Sequence, residues 1–357
     1  MDTGKDMKRV VIIAHGLGEG GAERVASLVA NHFETKGMKV LFIAVYHNSR
    51  EYPIADDIEY RYIDVRGKKG MAALWERNVS ILKLAKSFQA DVAVSFVEHE
   101  ITLLAISNID VIPSLRNDPK STERGLLLKM LRDFNYRRSK KIIFQTEGAK
   151  NYFSKKIREK GIIIRNPLKT DLPLWREDNH KKLFMTACRI STQKNLPMLI
   201  KAFSAFYITH REYMLEIYGD GPKEYRTQLE ALTEELGVKN AVHFKGYSTQ
   251  IHKYMCQSEA FILSSDYEGL SNSMLEAMAI GVPCICTDCP PGGAREIMGG
   301  RNAGILVPVG DDKALANAMQ RVAESSELRI LLSESEKYIR KELCREIIFD
   351  QWDKALE

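Results

Sequence analysis

The 357-residue sequence has no long hydrophobic run, because no apolar stretch reaches the roughly 18 residues that a membrane-spanning helix requires. Its first nine residues are polar and lead directly into an apolar segment, so we expect no secretory signal. Six cysteines are too few for a disulfide scaffold in a chain of this length. These absences favour a cytoplasmic globular protein, compatible with peripheral binding to the inner face of the cell membrane.

Neither sign of charge dominates, with 52 Lys and Arg against 47 Asp and Glu, but the charge is unevenly spread. Residues 1–165 carry 29 basic and 20 acidic side chains, a net +9, which leaves 23 against 27, or −4, in the rest. A basic first half predicts an anionic partner, either nucleic acid or an anionic membrane surface. Because zinc-finger spacing, RNP-type aromatic motifs and basic leucine heptads are missing, we expect no nucleic-acid partner.

Short apolar runs alternate with helical patterns along nearly the whole chain. This alternation predicts an α/β protein with parallel sheets covered on both faces, and the length suggests about two domains at roughly 150 residues each. The turn Asn166-Pro167 predicts a boundary between domains over residues 1–166 and 167–344, followed by a last helix over 345–357. Two doubly wound, Rossmann-like domains would bind ligands in a cleft outside the carboxyl ends of their strands. The predicted strands are Val10–Ala14, Val40–Val45, Val92–Phe96, Val111–Ser114, Lys141–Phe144, Leu183–Ala187, Met214–Tyr218, Val242–Phe244, Ala260–Leu263, Val282–Cys286 and Gly304–Val307.

The stretch Glu268-Gly-Leu-Ser-Asn-Ser-Met-Leu-Glu276 places two carboxylates on either side of a predicted helix start. Ser271 and Asn272 are good N-caps, so we predict a helix that runs through Ile280 and ends at Gly281. The exposed N–H groups at its start would form an anion site between the carboxylates. This layout suits a nucleotide-sugar, which carries phosphate in its middle and hydroxyl groups at both ends. A capped helix with two solvated glutamates is the alternative.

A second candidate phosphate loop, Gly16-Leu-Gly18-Glu-Gly20-Gly21-Ala-Glu-Arg24, follows the first strand and opens a helix. Its glycines let backbone N–H groups approach a phosphate, and they also satisfy the dinucleotide fingerprint. That fingerprint requires an acidic residue near the end of the second strand, which here reads Val45-Tyr46-His47-Asn48. An NAD-type oxidoreductase is therefore disfavoured, and a tight strand-to-helix turn is the other alternative.

Arg189 and Lys194 follow the first predicted strand of the second domain and could both point at one diphosphate. A solvated loop is the alternative. The cluster Cys284-Ile-Cys286-Thr-Asp-Cys289 lacks a fourth ligand at zinc-like spacing, so we interpret these cysteines as buried apolar residues. Asp-x-Asp is absent from the strand ends, so we expect no metal site.

Several of these motifs resemble those of the retaining family-four glycosyltransferases, which have the GT-B fold. The resemblance implies that the last helix, over 345–357, crosses back onto the first domain. The paired-glutamate stretch, the Gly-Gly-Ala-Glu-Arg loop, the Arg-x4-Lys element, the turn Gly219-Asp-Gly-Pro222 and the stretch Pro290–Glu296 follow the family order. The resemblance implies a donor site formed by Gly18, Gly20, Gly21, Gly219, Tyr247, Gly269, Leu270, Ser271, Asn272 and Glu276.

The resemblance implies transfer of a sugar from a nucleotide-sugar, most commonly UDP-linked, to a glycan or a polyprenyl-diphosphate-linked acceptor. No cofactor and no metal are expected. Arg189 and Lys194 would stabilise the departing diphosphate, Glu276 would hold the ribose hydroxyls, and Glu268 would contact the donor sugar. Three alternatives stay open: a nucleotide-sugar epimerase of the same fold, a non-catalytic nucleotide-sugar-binding protein, and a dehydrogenase.

One position departs from the family, which usually has a histidine after the fifth strand of the first domain. Here the chain reads Arg116-Asn117-Asp118-Pro119. Asp118 could deprotonate an acceptor hydroxyl and Arg116 could hold a phosphate or sugar oxygen, whereas a simple helix-starting turn is the alternative. The histidines His15 and His99 are also placed at strand ends.

Residues 125–138 predict a helix with an apolar stripe of Leu127, Met130, Leu131 and Phe134. Stripes of this kind usually face the protein core, and that orientation is favoured here. Many basic residues surround the stripe, so the alternative is a surface that binds anionic lipid.

Overall fold

The computed structural model describes residues 7–18, 20–46, 52–121, 123 and 125–357. The chain divides into two compact units. Unit 1 comprises Met1–Pro167 and Glu346–Glu357, and unit 2 comprises Leu168–Arg345. The first division therefore falls directly after the turn at Asn166-Pro167, between Pro167 and Leu168, and the last helix of the chain belongs almost entirely to unit 1.

Unit 1 contains a seven-stranded parallel sheet with the order β3-β2-β1-β4-β5-β6-β7. Its strands are β1 (Arg9–Ala14), β2 (Lys39–Ala44), β3 (Glu59–Tyr62), β4 (Val92–Ser95), β5 (Asp110–Leu115), β6 (Ile142–Phe144) and β7 (Gly161–Ile163). Its helices are α1 (Gly21–Thr35), α2 (Gly70–Ser87), α3 (Thr102–Ala105), α4 (Leu126–Arg138), α5 (Glu147–Asn151), α6 (Lys155–Arg158) and, at the end of the chain, α15 (Arg345–Leu356).

Unit 2 contains a six-stranded parallel sheet with the order β10-β9-β8-β11-β12-β13. Its strands are β8 (Leu183–Ala187), β9 (Met214–Tyr218), β10 (Val242–Gly246), β11 (Ala260–Leu263), β12 (Cys284–Thr287) and β13 (Ile305–Val307). Its helices are α7 (Leu196–Tyr207), α8 (Lys223–Glu235), α9 (Ile251–Cys256), α10 (Asn272–Ile280), α11 (Gly293–Met298), α12 (Asp312–Glu324), α13 (Ser326–Ser333) and α14 (Ser335–Glu342).

The central strands of both sheets are apolar along their length because helices cover both of their faces. In β1, Val10 through Ala14 are all buried, and β11 and β12 are buried at every position. The predicted α/β class with two doubly wound parallel sheets is confirmed. Each sheet directs the loops that follow its strands to one edge, where the predicted motifs lie.

The sequence prediction missed two strands, both at sheet edges. β3 reads Glu-Tyr-Arg-Tyr and is largely exposed, so it lacks the apolar run that marks a buried strand. β7 is three residues long and lies just before the boundary predicted at Asn166-Pro167. Edge strands bury too little surface to show the pattern of the central ones.

Helix α15 packs within unit 1 through an apolar face. Trp352 is fully buried, with its ring centroid 5.9 Å from that of Phe96, and the Lys8 ammonium donates to the Leu356 carbonyl at 2.6 Å. The predicted last helix is thus present, and it packs through Ile348, Trp352 and Leu356, whereas Ile347 is exposed.

Helix α4 occupies the predicted segment, but the predicted direction of its apolar stripe is wrong. Leu127, Met130 and Phe134 are exposed, and the buried residues of this helix are Arg132, Asn135 and Tyr136. Among the described residues, no helix is both long and apolar enough to cross a bilayer.

Candidate functional site

The loops after β8 and β11 meet at an ion pair between two predicted site residues of unit 2. The Lys194 ammonium contacts a carboxylate oxygen of Glu268, and their side chains are only 12% and 18% exposed. The Ser265 hydroxyl lies 3.4 Å from the same carboxylate oxygen. Burial alone would lower the pKa of Lys194, but the charge and hydrogen bond of Glu268 outweigh burial and raise it. The raised pKa favours the charged form of the Lys194 ammonium at this edge of the sheet.

Hydrogen bonds hold these two loops together along their length. The Asn195 amide donates to the Asp266 carboxylate at 2.6 Å, and Asn195 also caps α7 by accepting from the Met198 N–H. Three further bonds join the loops: Gln193 Nε2 to the Tyr267 carbonyl (2.9 Å), Asp266 N–H to the Gln193 carbonyl (2.9 Å), and the Ser264 hydroxyl to the Lys194 carbonyl (2.8 Å). Backbone and side chain together thus fix the position of Lys194 relative to Glu268.

Helix α10 begins directly after this pair, as predicted. Ser271 is its N-cap and accepts from the Met274 N–H, and Gly281 ends it in the left-handed conformation with φ of 89°. Left-handed backbone at a helix end favours glycine, which explains the stop after Ile280. The first N–H groups of the helix and its partial positive charge therefore lie beside Glu268 in the chain.

Glu276, in the second turn of α10, is buried and paired with a residue that the sequence analysis missed. Its Oε2 lies 2.8 Å from Nε2 of His252 on α9, and the two side chains are 8% and 19% exposed. The contact spans 24 positions of sequence, and no motif surrounds His252. Packing of α9 against α10 creates the pair, which orients the Glu276 carboxylate.

The turn Gly219–Gly221 supports the loop that carries Arg189. Gly219 has φ of 120°, and a Cβ atom there would overlap the Cys188 carbonyl. A Cβ atom on Gly221 would overlap the Ile190 carbonyl in the same way, so both positions require glycine. Arg189 itself is exposed, with no ion pair recorded among the described residues.

The remaining predicted donor residues of unit 2 are Gly269, Leu270 and Tyr247. Gly269 lies against Gly293 at the start of α11, where a Cβ atom on Gly293 would overlap the Gly269 carbonyl. Leu270 is buried, and Tyr247 is exposed beside the bridge between Gly219 and Gly246. The stretch Pro290–Glu296 thus packs against the Glu268–Ser271 loop and supports its backbone.

In unit 1, the glycine loop after β1 leads into α1 through Gly20, which precedes Gly21 at the first helical position. Arg24 in the first turns is buried and donates to the Pro167 carbonyl at 3.3 Å. Glu19 of this loop lies outside the described residues, as do His47 and Asn48 of the strand end that counted against a dinucleotide cofactor.

A group of titratable side chains at the carboxyl ends of β1 and β4 has no counterpart in the sequence motifs. Nδ1 of His15 lies 3.5 Å from Oε1 of Glu23, and Glu100 accepts from the Tyr46 hydroxyl at 3.3 Å. Burial would lower the pKa of His15, but Glu23, Glu100 and Glu98 outweigh it and raise that pKa. Burial raises the pKa of Glu98 to about 7, against the charge of Arg132. The sequence analysis named His15, and it quoted Glu23 and Tyr46 only as parts of other segments, so the fold was needed to show that these side chains lie together with Glu98 and Glu100.

Arg116 and Asp118 both serve contacts within unit 1. The Arg116 guanidinium donates to the Ser114 hydroxyl (2.8 Å), the Ile164 carbonyl (3.2 Å) and Asn166 Oδ1 (3.1 Å). Burial lowers the pKa of Arg116 to about 9, and its Nη2 has no hydrogen-bond partner among the described residues. The Asp118 carboxylate is buried and accepts from the Ser121 N–H at 2.8 Å, as the turn interpretation requires. A role for Asp118 as a base stays a prediction.

The cysteines of β12 and its following loop are buried, as interpreted from the sequence. Cys284, Cys286 and Cys289 are free and buried, and burial raises the pKa of Cys289 to about 12. Among the residues that the structure describes, no group of three or more His, Cys, Asp or Glu is arranged to hold a metal ion.

Comparison with known proteins shows which family and fold the chain resembles. Residues 171–338 match the family described as "Glycosyl transferases group 1". An uncharacterized glycosyltransferase of Haemophilus influenzae is 24% identical over 360 residues, covering 98% of this chain and 100% of that protein. An N-acetylgalactosamine-N,N'-diacetylbacillosaminyl-diphospho-undecaprenol 4-alpha-N-acetylgalactosaminyltransferase of Campylobacter jejuni is 30% identical over 148 residues, 42% of this chain and 39% of that one.

The fold is shared with solved structures over nearly the whole chain. The crystal structure of Anabaena Alr3699/HepE in complex with UDP superposes with a TM-score of 0.81 at 16% identity, covering 98% of this chain and 99% of that one. The resemblance found in the sequence is confirmed for both family and fold. The chain is a glycosyltransferase with the GT-B fold, and its residues 171–338 match the glycosyl transferases group 1 family.

Proposed function

We propose that this protein moves a sugar from a UDP-sugar to a glycan or polyprenyl-diphosphate-linked acceptor, with retention of anomeric configuration and without a metal ion. The observation that carries the proposal is the arrangement of Lys194, Glu268 and Glu276 around the start of α10. Lys194 and the first N–H groups of α10 offer positive charge beside Glu268, and Glu276 offers a second carboxylate in the next turn of the helix. A nucleotide-sugar requires positive charge for its diphosphate and carboxylates for its hydroxyl groups.

In this proposal each side chain contacts one part of the donor. Lys194 has three N–H donors and can bind a diphosphate oxygen while it keeps its contact with Glu268. Arg189 adds a second, exposed cation from the same loop, and the N–H groups of α10 add dipolar stabilisation. Glu276, oriented by His252, accepts from the ribose hydroxyls, and Glu268 accepts from a hydroxyl of the sugar.

The same contacts support the chemical step. The bond between the anomeric carbon and the diphosphate breaks, and Lys194, Arg189 and the start of α10 stabilise the charge that develops on the leaving oxygen. The acceptor oxygen bonds to the anomeric carbon from the same face, and its proton passes to the leaving diphosphate. We favour this internal return over a double displacement because Glu268 is held in an ion pair with Lys194 and Glu276 contacts His252, so neither carboxylate is presented as a free nucleophile.

The acceptor class rests on the charge of the chain and on its relatives. The Campylobacter jejuni relative bears the name of an enzyme that acts on a diphospho-undecaprenol-linked sugar, which supports a lipid-linked acceptor here. The net +9 of residues 1–165 supports peripheral contact with an anionic membrane, and hence a location on its cytoplasmic side.

A donor screen tests the proposal. UDP-sugars should raise the thermal midpoint of the protein, since a ligand that binds only the folded state stabilises it. NMR of the product should show retained anomeric configuration, and activity should persist in excess chelator. An epimer formed from donor alone would indicate an epimerase, and binding without turnover on any acceptor would indicate a binding protein. Loss of activity with chelator and its return with magnesium or manganese would contradict metal independence.

A further inference from the structure

Helix α4 of unit 1 presents its apolar side chains outward. Leu126, Leu127, Met130 and Phe134 are 74%, 55%, 60% and 43% exposed. They recur at spacings of three and four, so they form one continuous stripe along the helix. Ile106, just after α3, is also exposed, and Arg138 Nε lies 3.4 Å from the neighbouring Ala105 carbonyl. A large apolar surface of this kind marks an interaction site rather than ordinary surface.

The opposite side of α4 explains why the helix does not turn this stripe inward. Arg132 is 2% exposed and pairs with Glu123 at 3.2 Å and with Asp133 at 3.1 Å. Asn135 donates to the Glu98 carbonyl at 2.8 Å, and the Tyr136 ring is fully buried. Rotating the helix would break these contacts and bury unpaired charge, so the outward orientation is fixed by the polar side.

The charge around α4 is strongly positive. Residues 120–160 contain 13 Lys and Arg against four Asp and Glu, which accounts for the entire net +9 of residues 1–165. Arg137 and Arg138 are exposed in the last turn of the helix. Lys155 and Lys156 are exposed on α6, which packs against α4. The apolar stripe therefore lies among cations.

We propose that the outward face of α4 docks onto an anionic lipid surface. Its apolar side chains would enter the boundary between headgroups and acyl chains, while Arg137, Arg138, Lys155 and Lys156 contact the lipid phosphates. Charge complementarity favours this occupant over a second copy of the chain, because a two-fold contact would bring the same positive patch against itself. The inference deepens the proposed function, on which it rests for the lipid-linked acceptor.

Vesicle flotation of the full chain tests this docking directly. The wild type should float with phosphatidylglycerol-containing vesicles at low salt, float less at high salt, and stay unbound with pure phosphatidylcholine. Met130→Glu with Phe134→Glu should lower partitioning by at least about ten-fold, and Arg137→Glu with Arg138→Glu by a similar factor. The matched control is Ile330→Glu with Leu331→Glu on α13 of unit 2, whose side chains are 51% and 42% exposed. It should partition like the wild type.

Three outcomes would overturn the docking: no flotation of the wild type in any condition, equal flotation of the α4 variants, or an equal loss in the control. A wild-type dimer that becomes a monomer in the Met130 and Phe134 variant, without vesicle binding, would assign the face to self-association instead. UDP binding and donor hydrolysis without vesicles should be the same in all these proteins. A wild type that neither binds UDP nor hydrolyses a donor would contradict the proposed function. The flotation result would still decide whether α4 docks onto lipid, because flotation requires no donor.

Discussion

Helices α10 and α4 both follow a loop at the carboxyl end of a sheet strand, yet they bury opposite kinds of surface. In unit 2, α10 buries Met274, Leu275 and the run Ala277–Ile280. In unit 1, α4 buries Arg132, Asn135 and Tyr136 and exposes its apolar residues. The charged side chains that are shielded from solvent therefore have different roles in the two units.

In unit 2, ionisable side chains that are 8% to 19% exposed lie on α10 and on the segments that contact it. Lys194 pairs with Glu268, and Glu276 with His252. In unit 1, the buried Arg132 instead joins α4 to the segment before it, through Glu123 and the Pro119 carbonyl at 3.2 Å. We therefore expect substitutions of buried cations to alter catalysis in unit 2 and stability in unit 1.

The largest expected effect is on the stability of unit 1. Arg132→Ala removes a buried guanidinium that contacts Glu123, Asp133 and the Pro119 carbonyl and packs over the Phe153 ring. The summed loss of these contacts should lower the free energy of unfolding by about 3–5 kcal/mol. Urea denaturation followed by circular dichroism measures this loss. Arg137→Ala on the exposed side of the same helix is the control, with an expected change within about 0.5 kcal/mol. Equal losses of unfolding free energy in the two variants would contradict the role of the buried Arg132 in the stability of unit 1.

The next effect concerns catalysis in unit 2. Lys194→Ala should remove about 1.5–3 kcal/mol of contact with the departing diphosphate, which corresponds to about a ten- to hundred-fold loss of turnover. Arg189→Ala should act in the same direction. Transfer and donor hydrolysis are the measurements, and Lys201→Ala on the exposed side of α7 is the control. Unchanged kinetics in both loop variants would remove Arg189 and Lys194 from the site.

Much of unit 2 could be predicted from the sequence because its motifs are local. The N-cap Ser271, the stop at Gly281 and the strand before Glu268 lie within a few residues of one another, and the structure confirms all three. The partner of Glu276 could not be predicted, since His252 comes from another helix and is brought there only by packing.

In unit 1, the sequence showed that α4 is amphipathic but not which side faces the core. An apolar stripe usually points inward. In α4 the polar side is buried instead, because Arg132 bonds Glu123 in the preceding loop and Asn135 bonds the Glu98 carbonyl after β4. The edge strands β3 and β7 were missed for a different reason, as they carry no buried apolar run.

A calorimetric titration with UDP tests the central claim, that unit 2 holds the nucleotide through Glu276 beside the start of α10. The wild type should bind UDP, and Glu276→Ala should weaken binding by about ten-fold or more through the lost charged hydrogen bonds. His252→Ala should weaken UDP binding less than Glu276→Ala does, and His252→Gln should restore part of the lost affinity. Glu268→Ala should leave the UDP affinity nearly intact but slow sugar transfer. The exposed Glu224→Ala on α8 is the control. Equal UDP affinity in the wild type and Glu276→Ala would contradict the account.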